Sequence, residues 1–347
     1  MPAVLEWSPT VDPSEFVLQV REALAAGLLV ALPGDVGYFV LANPAADAME
    51  GHLRTLAGIA DATPCFLSYG PEDAPCELPT IARRLMLRAW PAPLVVAVGT
   101  AHGELRFRCP EHLVTEAVYP AVHANGRLAP TLVIETFLPT VEAVIERLGD
   151  AVGLAVSAGP LPVGRLTVVR AGEASWSLLQ EGDFEADEIQ RLAARIVLFV
   201  CTGNTCRSPL AEGLARKLLA DRLGCTQEEL PARGYWMLSA GVAAYGGGPA
   251  SQESADVASE FGADLIAHRS RPVNPQLLAA ADDVIAMTRS HAYAIAVGFP
   301  GVGPPPRLLC DNDDLDDPIG ASLDVYRDCA KTILKHLERL LPEWVGT

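Results

Sequence analysis

The sequence predicts two α/β units, the second built on a parallel, doubly wound sheet. Three observations carry this expectation. At roughly 150 residues per domain, 347 residues leave room for about two domains. The stretch 180–195, QEGDFEADEIQRLAAR, is polar, acidic and helix-prone, and it runs into the apolar segment RIVLFV, which reads as a buried strand. Beyond that point strand-like and helical runs alternate, the pattern of parallel strands joined by crossover helices. The expected division is a first domain over residues 1–185, a linker over 186–194 and a second domain over 195–347.

The first part opens with a helical pattern over residues 14–26, stopped by Gly27. The run LLVALPG follows as a strand, and further strand candidates lie at 93–98, 131–135 and 166–170. Proline is frequent between them, so the order reads as mixed α/β without a definite topology. In the second part, strand 196–200 leads through CTGNTCRSP into a helix over 209–223, with Leu210, Leu214 and Leu218 on one face. Strand 237–239 precedes the glycine-rich turn AGVAAYGGGP. A helix over 251–261, a strand over 283–287 and a closing amphipathic helix over 325–341 complete the pattern.

Composition narrows the function classes. Hydrophobic residues make up 50% and charged residues 20%, which is globular. The net charge of −17 argues against a nucleic-acid partner, because a phosphate-backbone binder needs a positive face. No apolar run reaches the ~20 residues of a membrane span. The start, MPAVLEWSPTVDPSEF, lacks the basic and apolar regions of a signal peptide. Eight cysteines in so long a chain suit cytosolic thiols better than a disulfide scaffold, so a cytoplasmic protein is expected.

The segment Cys201-Thr202-Gly203-Asn204-Thr205-Cys206-Arg207-Ser208-Pro209 carries the chemistry. It joins a strand to a helix that has proline near its start. Such a turn aims successive backbone N–H groups inward at the helix N-terminus, an anion cradle. The same field favours the thiolate form of Cys201, the nucleophilic one. Arg207 offers a planar fork for two phosphate oxygens, and Ser208 can bond the thiolate. A cysteinyl-phosphate mechanism also needs a proton donor, and Asp317-Pro318 in DNDDLDDPIG supplies one. The remaining acids of that stretch fail the calcium-loop spacing, because Leu315 stands at a ligand position. His268, His291 and the other histidines have no metal-site spacing and read as structural. Neither a metal nor a cofactor is expected.

Together, CTGNTCRSP, LSAG (238–241), VIAMT (284–288) and DPIG (317–320) resemble the low-molecular-weight protein tyrosine phosphatase family in order and spacing over about 150 residues. The resemblance implies a flavodoxin-like fold and a phosphorylated protein substrate. It implies Cys201 as nucleophile, Arg207 as the phosphate and transition-state ligand, and Asp317 as general acid and then base. Thr202, Gly203, Asn204, Thr205, Cys206 and Ser208 would form the phosphate loop, with Ser208 stabilising the thiolate and Asn204 and Ser239 holding the loop's shape. Cys206 lies close enough to Cys201 for a reversible disulfide, or serves as core filler. Thr205 in the cradle resembles the family's protein-arginine phosphatase branch. Ile319 stands where phosphotyrosine-specific members carry an aromatic residue, and that branch too tends to keep one there.

The first part is similar to the YrdC-like threonylcarbamoyl-adenylate synthase domain through GLLVALPGDVGYFVL (27–41), RAWPAPLVVAV (88–98), FRCPEH (107–112) and GRLTVVR (164–170). That family binds ATP, threonine and bicarbonate through a PTDTVYG opening, a Lys-x-Arg motif and a Ser-x-Asn motif. Here the opening reads LPGDVGY, no lysine exists in residues 1–195, and 130–132 lacks the serine and asparagine. A degenerate domain kept for binding or scaffolding is expected, with Arg88, Arg108 and His112 available to a nucleotide or other anion. Three alternatives remain: an arsenate reductase on the second unit's fold, a non-enzymatic binder, and a first unit active as a nucleotide- or RNA-binding module or as a synthase. Arsenate reduction needs extra cysteines near the cradle. Residues 282–293 have none, and Cys225, Cys310 and Cys329 lack a paired spacing. The intact Cys201, Arg207 and Asp317 argue against an inert binder.

Overall fold

The computed structural model describes residues 2–43, 64–122 and 132–345. The chain divides into two compact units, Met1–Ala193 and Ala194–Thr347.

In the first unit, β1 (Ala3–Glu6) leads through a 3-10 turn at Pro13–Phe16 into α1 (Val17–Ala25). The expected helix thus begins as a tighter turn, where Asp12 accepts a hydrogen bond from the Ser14 backbone N–H. The chain continues through β2 (Leu29–Gly34), β3 (Gly37–Ala42), β4 (Cys65–Leu67), α2 (Thr80–Ala89), β5 (Leu94–Thr100), β6 (Gly103–Arg108) and α3 (Leu113–Val122). After them come β7 (Leu132–Leu138), α4 (Val141–Leu148), β8 (Val152–Ser157), β9 (Thr167–Ala171), β10 (Trp176–Gln180) and α5 (Ala186–Ala193). The strands form one mixed sheet in the order β1-β8-β2-β3-β7-β4-β6-β5-β9-β10. On β2, Val30 and Leu32 pack with Val114 and Val118 of α3, while Leu29 and Ala31 pack with Val144 and Leu148 of α4. Burial on both faces explains the unbroken apolar run in the sequence.

Two expectations for this unit change. Residues 186–194 are not a spacer. α5 buries Ile189 and Ala193 against Leu85, Val96 and Val169, because its apolar side needs cover even though its outer side is acidic. Arg108, read as a free anion ligand, is 0% exposed. Its Nε donates to Glu135 Oε1 at 3.0 Å, Nη2 to Asp35, and Nη1 to the carbonyls of Ala92 and Cys109. His112 packs edge-on against Trp7, and its Nδ1 accepts from the Val114 N–H. Residues 130 and 131, part of the expected Ser-x-Asn place, lie outside the described residues.

The second unit holds β11 (Arg195–Cys201), α6 (Arg207–Leu223), β12 (Tyr235–Gly241), α7 (Gln252–Glu260) and α8 (Pro275–Ala280). β13 (Asp283–Ala286), α9 (Arg289–Gly298), β14 (Arg307–Leu308) and α10 (Leu323–Val345) complete it. Its four strands are all parallel, in the order β12-β11-β13-β14. Val197, Phe199 and Cys201 face α6 and α10, whereas Leu198 and Val200 pack with Leu278 and Ile295. β11 has a neighbour on each side, so the chain leaves its carboxyl end at the point where strand order reverses, the usual ligand crevice of such sheets. Among the described residues no helix is long and apolar enough to cross a membrane.

Burial raises the Glu135 carboxyl to about 7, because the cost of desolvating its charge exceeds the attraction of Arg108. The folded value lies above the unfolded one, so the associated stability is complete below about pH 4.5 and is lost as pH rises through 7. Relative to the parent protein, Glu135→Gln should therefore gain unfolding stability from pH 4.5 to 7 and level off above. Denaturant titrations across that range check it; a difference that shrinks with rising pH contradicts it.

Candidate functional site

Residues 201–206 turn sharply between the end of β11 and the first turn of α6. Asn204 is the pivot, with φ of 56°, a left-handed conformation rare outside glycine. An asparagine tolerates it when its side chain is held, and here both ends are. Asn204 Nδ2 lies 3.0 Å from Ser208 Oγ and 2.8 Å from Ser239 Oγ, and Oδ1 accepts from the Arg271 backbone N–H at 2.9 Å. His268 Nε2 sits 2.9 Å from the Asn204 carbonyl. Ser239, in the second half of β12, donates to Glu212 of α6 at 2.6 Å. The next residue but one, Gly241, must be glycine: a Cβ there would stand 2.4 Å from the Thr202 carbonyl oxygen and 2.9 Å from the Asn204 nitrogen.

This frame sets the Cys201 thiol. Its Sγ is 3.0 Å from Ser208 Oγ and 3.3 Å from the Asn204 backbone nitrogen, which donates to it. Cys201 is 3% exposed, at the bottom of the turn. Arg207 opens α6 and folds its guanidinium back toward the loop that carries the aspartates. Nη1 donates to the Leu315 carbonyl at 3.2 Å, and Nη2 to Asp317 Oδ2 at 2.5 Å. Leu315 and Pro318 are buried on either side of Asp317, whose own side chain is 41% exposed. Its Oδ1 also accepts from the Ile319 backbone N–H at 3.3 Å, so both carboxylate oxygens are engaged. Leu315 is itself tied to the sheet end by its N–H to the Met287 carbonyl, at 2.9 Å.

The sequence-predicted residues are thus brought together: Cys201, Arg207, Ser208 and Asp317 at one point, Asn204 and Ser239 behind it. Thr205 gives its carbonyl to the Ser251 N–H and keeps its hydroxyl 3.6 Å from Cys206 Sγ. The Tyr326 hydroxyl donates to that sulfur at 3.5 Å; burial pushes this phenol up to about 12, so it stays a donor. Gly203 has open space around its missing Cβ apart from Thr205. All eight cysteines are free thiols, and burial pushes Cys329 up to about 12.

Residues 196–345 match the family model "Low molecular weight phosphotyrosine protein phosphatase". Over 153 residues the chain is 35% identical to the protein-arginine-phosphatase of Bacillus subtilis, spanning 42% of this chain and 95% of that protein. The chain belongs to the low molecular weight phosphotyrosine protein phosphatase family. It is also 30% identical over 151 residues to the low molecular weight protein-tyrosine-phosphatase Etp of Escherichia coli, covering 43% of this chain and 90% of that one. A solved structure of the arginine phosphatase of Geobacillus stearothermophilus is 33% identical, with a TM-score of 0.38, across 43% of this chain and 92% of that one. Each of these three likenesses spans less than half of this chain.

Several residues around the phosphatase-family loop escaped the sequence reading. Glu212 carried one usable signal: it lies four residues after Ser208, on the same helix face, in an otherwise apolar stretch. Arg271, whose Nε donates to the Ser239 carbonyl at 2.9 Å, gave none, nor did Leu315. His268 and His291, read as structural, both bond the loop itself.

Removing the Asn204 side chain tests the frame. Asn204→Ala leaves a left-handed residue without its tethers and should cost about 2–4 kcal/mol. Asn204→Gly relieves the backbone but not the lost bonds and should cost less. Thermal unfolding orders them parent, Gly, Ala; equal melting temperatures for all three would remove Asn204 as the pivot.

Proposed function

We propose that the second unit hydrolyses phosphorylated protein side chains through a cysteinyl-phosphate. The observation that carries this reading is the meeting of the Cys201 thiol, the Arg207 guanidinium and the Asp317 carboxylate at the N-terminus of α6. The names of the matched relatives, protein-arginine-phosphatase and protein-tyrosine-phosphatase, point the same way.

In this reading the backbone N–H groups of residues 202–207 and the Arg207 fork hold the phosphoryl oxygens. Arg207 exchanges its Asp317 partner for phosphate, which frees the carboxyl to turn toward the leaving atom. Released from the guanidinium, Asp317 takes up through solvent the proton that Cys201 gives up on ionising. The thiolate attacks phosphorus, the S–P bond forms as the bond to the leaving atom breaks, and Asp317 gives that atom its proton. Asp317, now a carboxylate, takes a proton from water. The hydroxide breaks the S–P bond, inorganic phosphate leaves, and the thiolate is restored with Ser208 as its donor.

Substrate choice is assigned to Thr205 and Ile319. Ile319 is 68% exposed beside Asp317-Pro318 and offers no aromatic face, so a stacking contribution of about 0.5–1.5 kcal/mol to a phenyl ring is missing. The Thr205 hydroxyl suits a polar guanidinium. Phosphoarginine is therefore the favoured side chain, with phosphotyrosine also accepted. The free thiols suit a reducing compartment, the cytoplasm. The first unit is assigned as a degenerate YrdC-like module for binding or scaffolding, on the strength of its partial motifs. Arg108 is committed to carboxylates and carbonyls, Arg88 donates to the Leu192 carbonyl at 2.9 Å, and His112 accepts from the Val114 N–H.

Cys201→Ser and Arg207→Lys should each retain less than a tenth of the hydrolysis of p-nitrophenyl phosphate. An alcohol is far less ionised than a thiol, and a point charge does not replace a fork. Asp317→Asn should slow turnover by about 10²–10⁴-fold, with Asp316→Asn close to the parent. Substantial activity in Cys201→Ser would sink the mechanism.

Thr205→Ile should shift the kcat/KM ratio toward phosphotyrosine over phosphoarginine peptides by about tenfold or more, the loss of one polar contact. An unchanged ratio would remove Thr205 as the selector. The full chain given ATP, threonine and bicarbonate should yield no threonylcarbamoyl-adenylate by mass spectrometry; product would show the first unit to be an active synthase.

A further inference from the structure

The phosphate loop is held behind Asn204 by a dense set of bonds, yet its first residue after the cysteine is held differently. Thr202 is exposed, and its hydroxyl lies 2.8 Å from His291 Nε2. His291 is 4% exposed, in the first turn of α9, with Nδ1 2.8 Å from the Thr288 hydroxyl. Thr288 caps that helix: its Oγ accepts from the His291 backbone N–H and lies 2.8 Å from the Ser290 hydroxyl.

One tautomer gives these bonds a common direction. In it Thr288 accepts from the His291 backbone N–H and from the Ser290 hydroxyl and gives its own proton to His291 Nδ1. The ring proton then sits on Nε2 and is donated to Thr202 Oγ. Among the described residues the Thr202 proton then has no acceptor, which leaves it for a ligand. We infer that Thr288, His291 and Thr202 form a one-way hydrogen-bond relay that presets the Thr202 hydroxyl as a donor to a phosphoryl oxygen at the lip of the cradle.

This rests on the phosphatase reading of the site and deepens it: Thr202 becomes a substrate-binding side chain, and His291 a positioning residue acting through it. The relay needs a neutral ring, because an imidazolium has no acceptor for the Thr288 proton. Burial first, and then the nearby Arg207 cation, hold His291 down to about 4, against the opposing pull of Asp317 and Asp314. The ring is neutral wherever the enzyme would bind a phosphate dianion.

The test compares Thr202→Val, Thr202→Ser, His291→Ala and the double variant Thr202→Val/His291→Ala in the full chain. The readouts are kcat and KM for p-nitrophenyl phosphate and Ki for inorganic phosphate. A donor used equally in the bound and transition states affects binding alone. Thr202→Val and His291→Ala should each raise KM and Ki by about 5–30-fold, with kcat within threefold of the parent. Thr202→Ser should stay near the parent, and the double variant should be no weaker than the weaker single one. An unchanged Ki in Thr202→Val, or losses that add in the double variant, would overturn the relay. Should His291→Ala fail to fold, Thr202→Val and Thr202→Ser, at an exposed position, still decide. If the parent protein does not hydrolyse p-nitrophenyl phosphate, the phosphatase reading fails, and calorimetry of phosphate binding to the same variants judges the relay separately.

Discussion

Everything at the candidate site depends on one residue held in a left-handed turn. Asn204 reverses the chain between β11 and α6, and that reversal sends the Arg207 side chain back over the loop rather than away along the helix. The conformation is costly for a residue with a Cβ, and it persists because β12, α6 and the segment at Arg271 each supply a partner. Glu212 completes this set from behind by fixing Ser239. The strain is thus offset by parts of the unit far from it in sequence.

The sheet determines where that turn stands. With β12 on one side of β11 and β13 on the other, the carboxyl ends of three strands surround the loop, and the residues just past each strand end serve it. β12 leads to Gly241, whose missing side chain lets the Thr202 carbonyl approach. β13 leads to Met287, which pins Leu315, and to Thr288, which caps α9 under His291. Asp317 therefore reaches Arg207 across 110 residues of sequence without a long unsupported excursion.

How much of this could be read from the sequence depends on how local each feature is. The turn at Cys201 and its thiol occupy a contiguous stretch whose strand, turn and helix are all visible in residues 196–223, and Asp317 is marked by the proline beside it. The alternation of strands and helices gave the parallel sheet for the same reason. Glu212, Arg271 and Leu315 escaped because they act through contacts that exist only once β12, α6 and the 309–318 segment are packed together. The first unit was less legible. Its ten-stranded order mixes parallel and antiparallel neighbours, which no period in the sequence encodes. Arg108 was misjudged because a sequence does not show that Asp35 and Glu135 close around it. α5 was mistaken for a spacer because its acidic face outweighs two buried residues in composition.

The ion pair between Arg207 and Asp317 has a bearing on which solutes the cradle admits. The buried guanidinium already has a counter-ion from its own chain, a partly exposed carboxylate at high local concentration. A chloride or a simple carboxylate brings one negative charge and displaces one, so it gains nothing electrostatically and loses its hydration. A phosphoryl dianion brings two charges and several acceptors that the turn's N–H groups can meet together. On the proposed reading the resting pair sets a charge threshold: a monovalent anion gains little by displacing the carboxylate, whereas a phosphoryl dianion does gain.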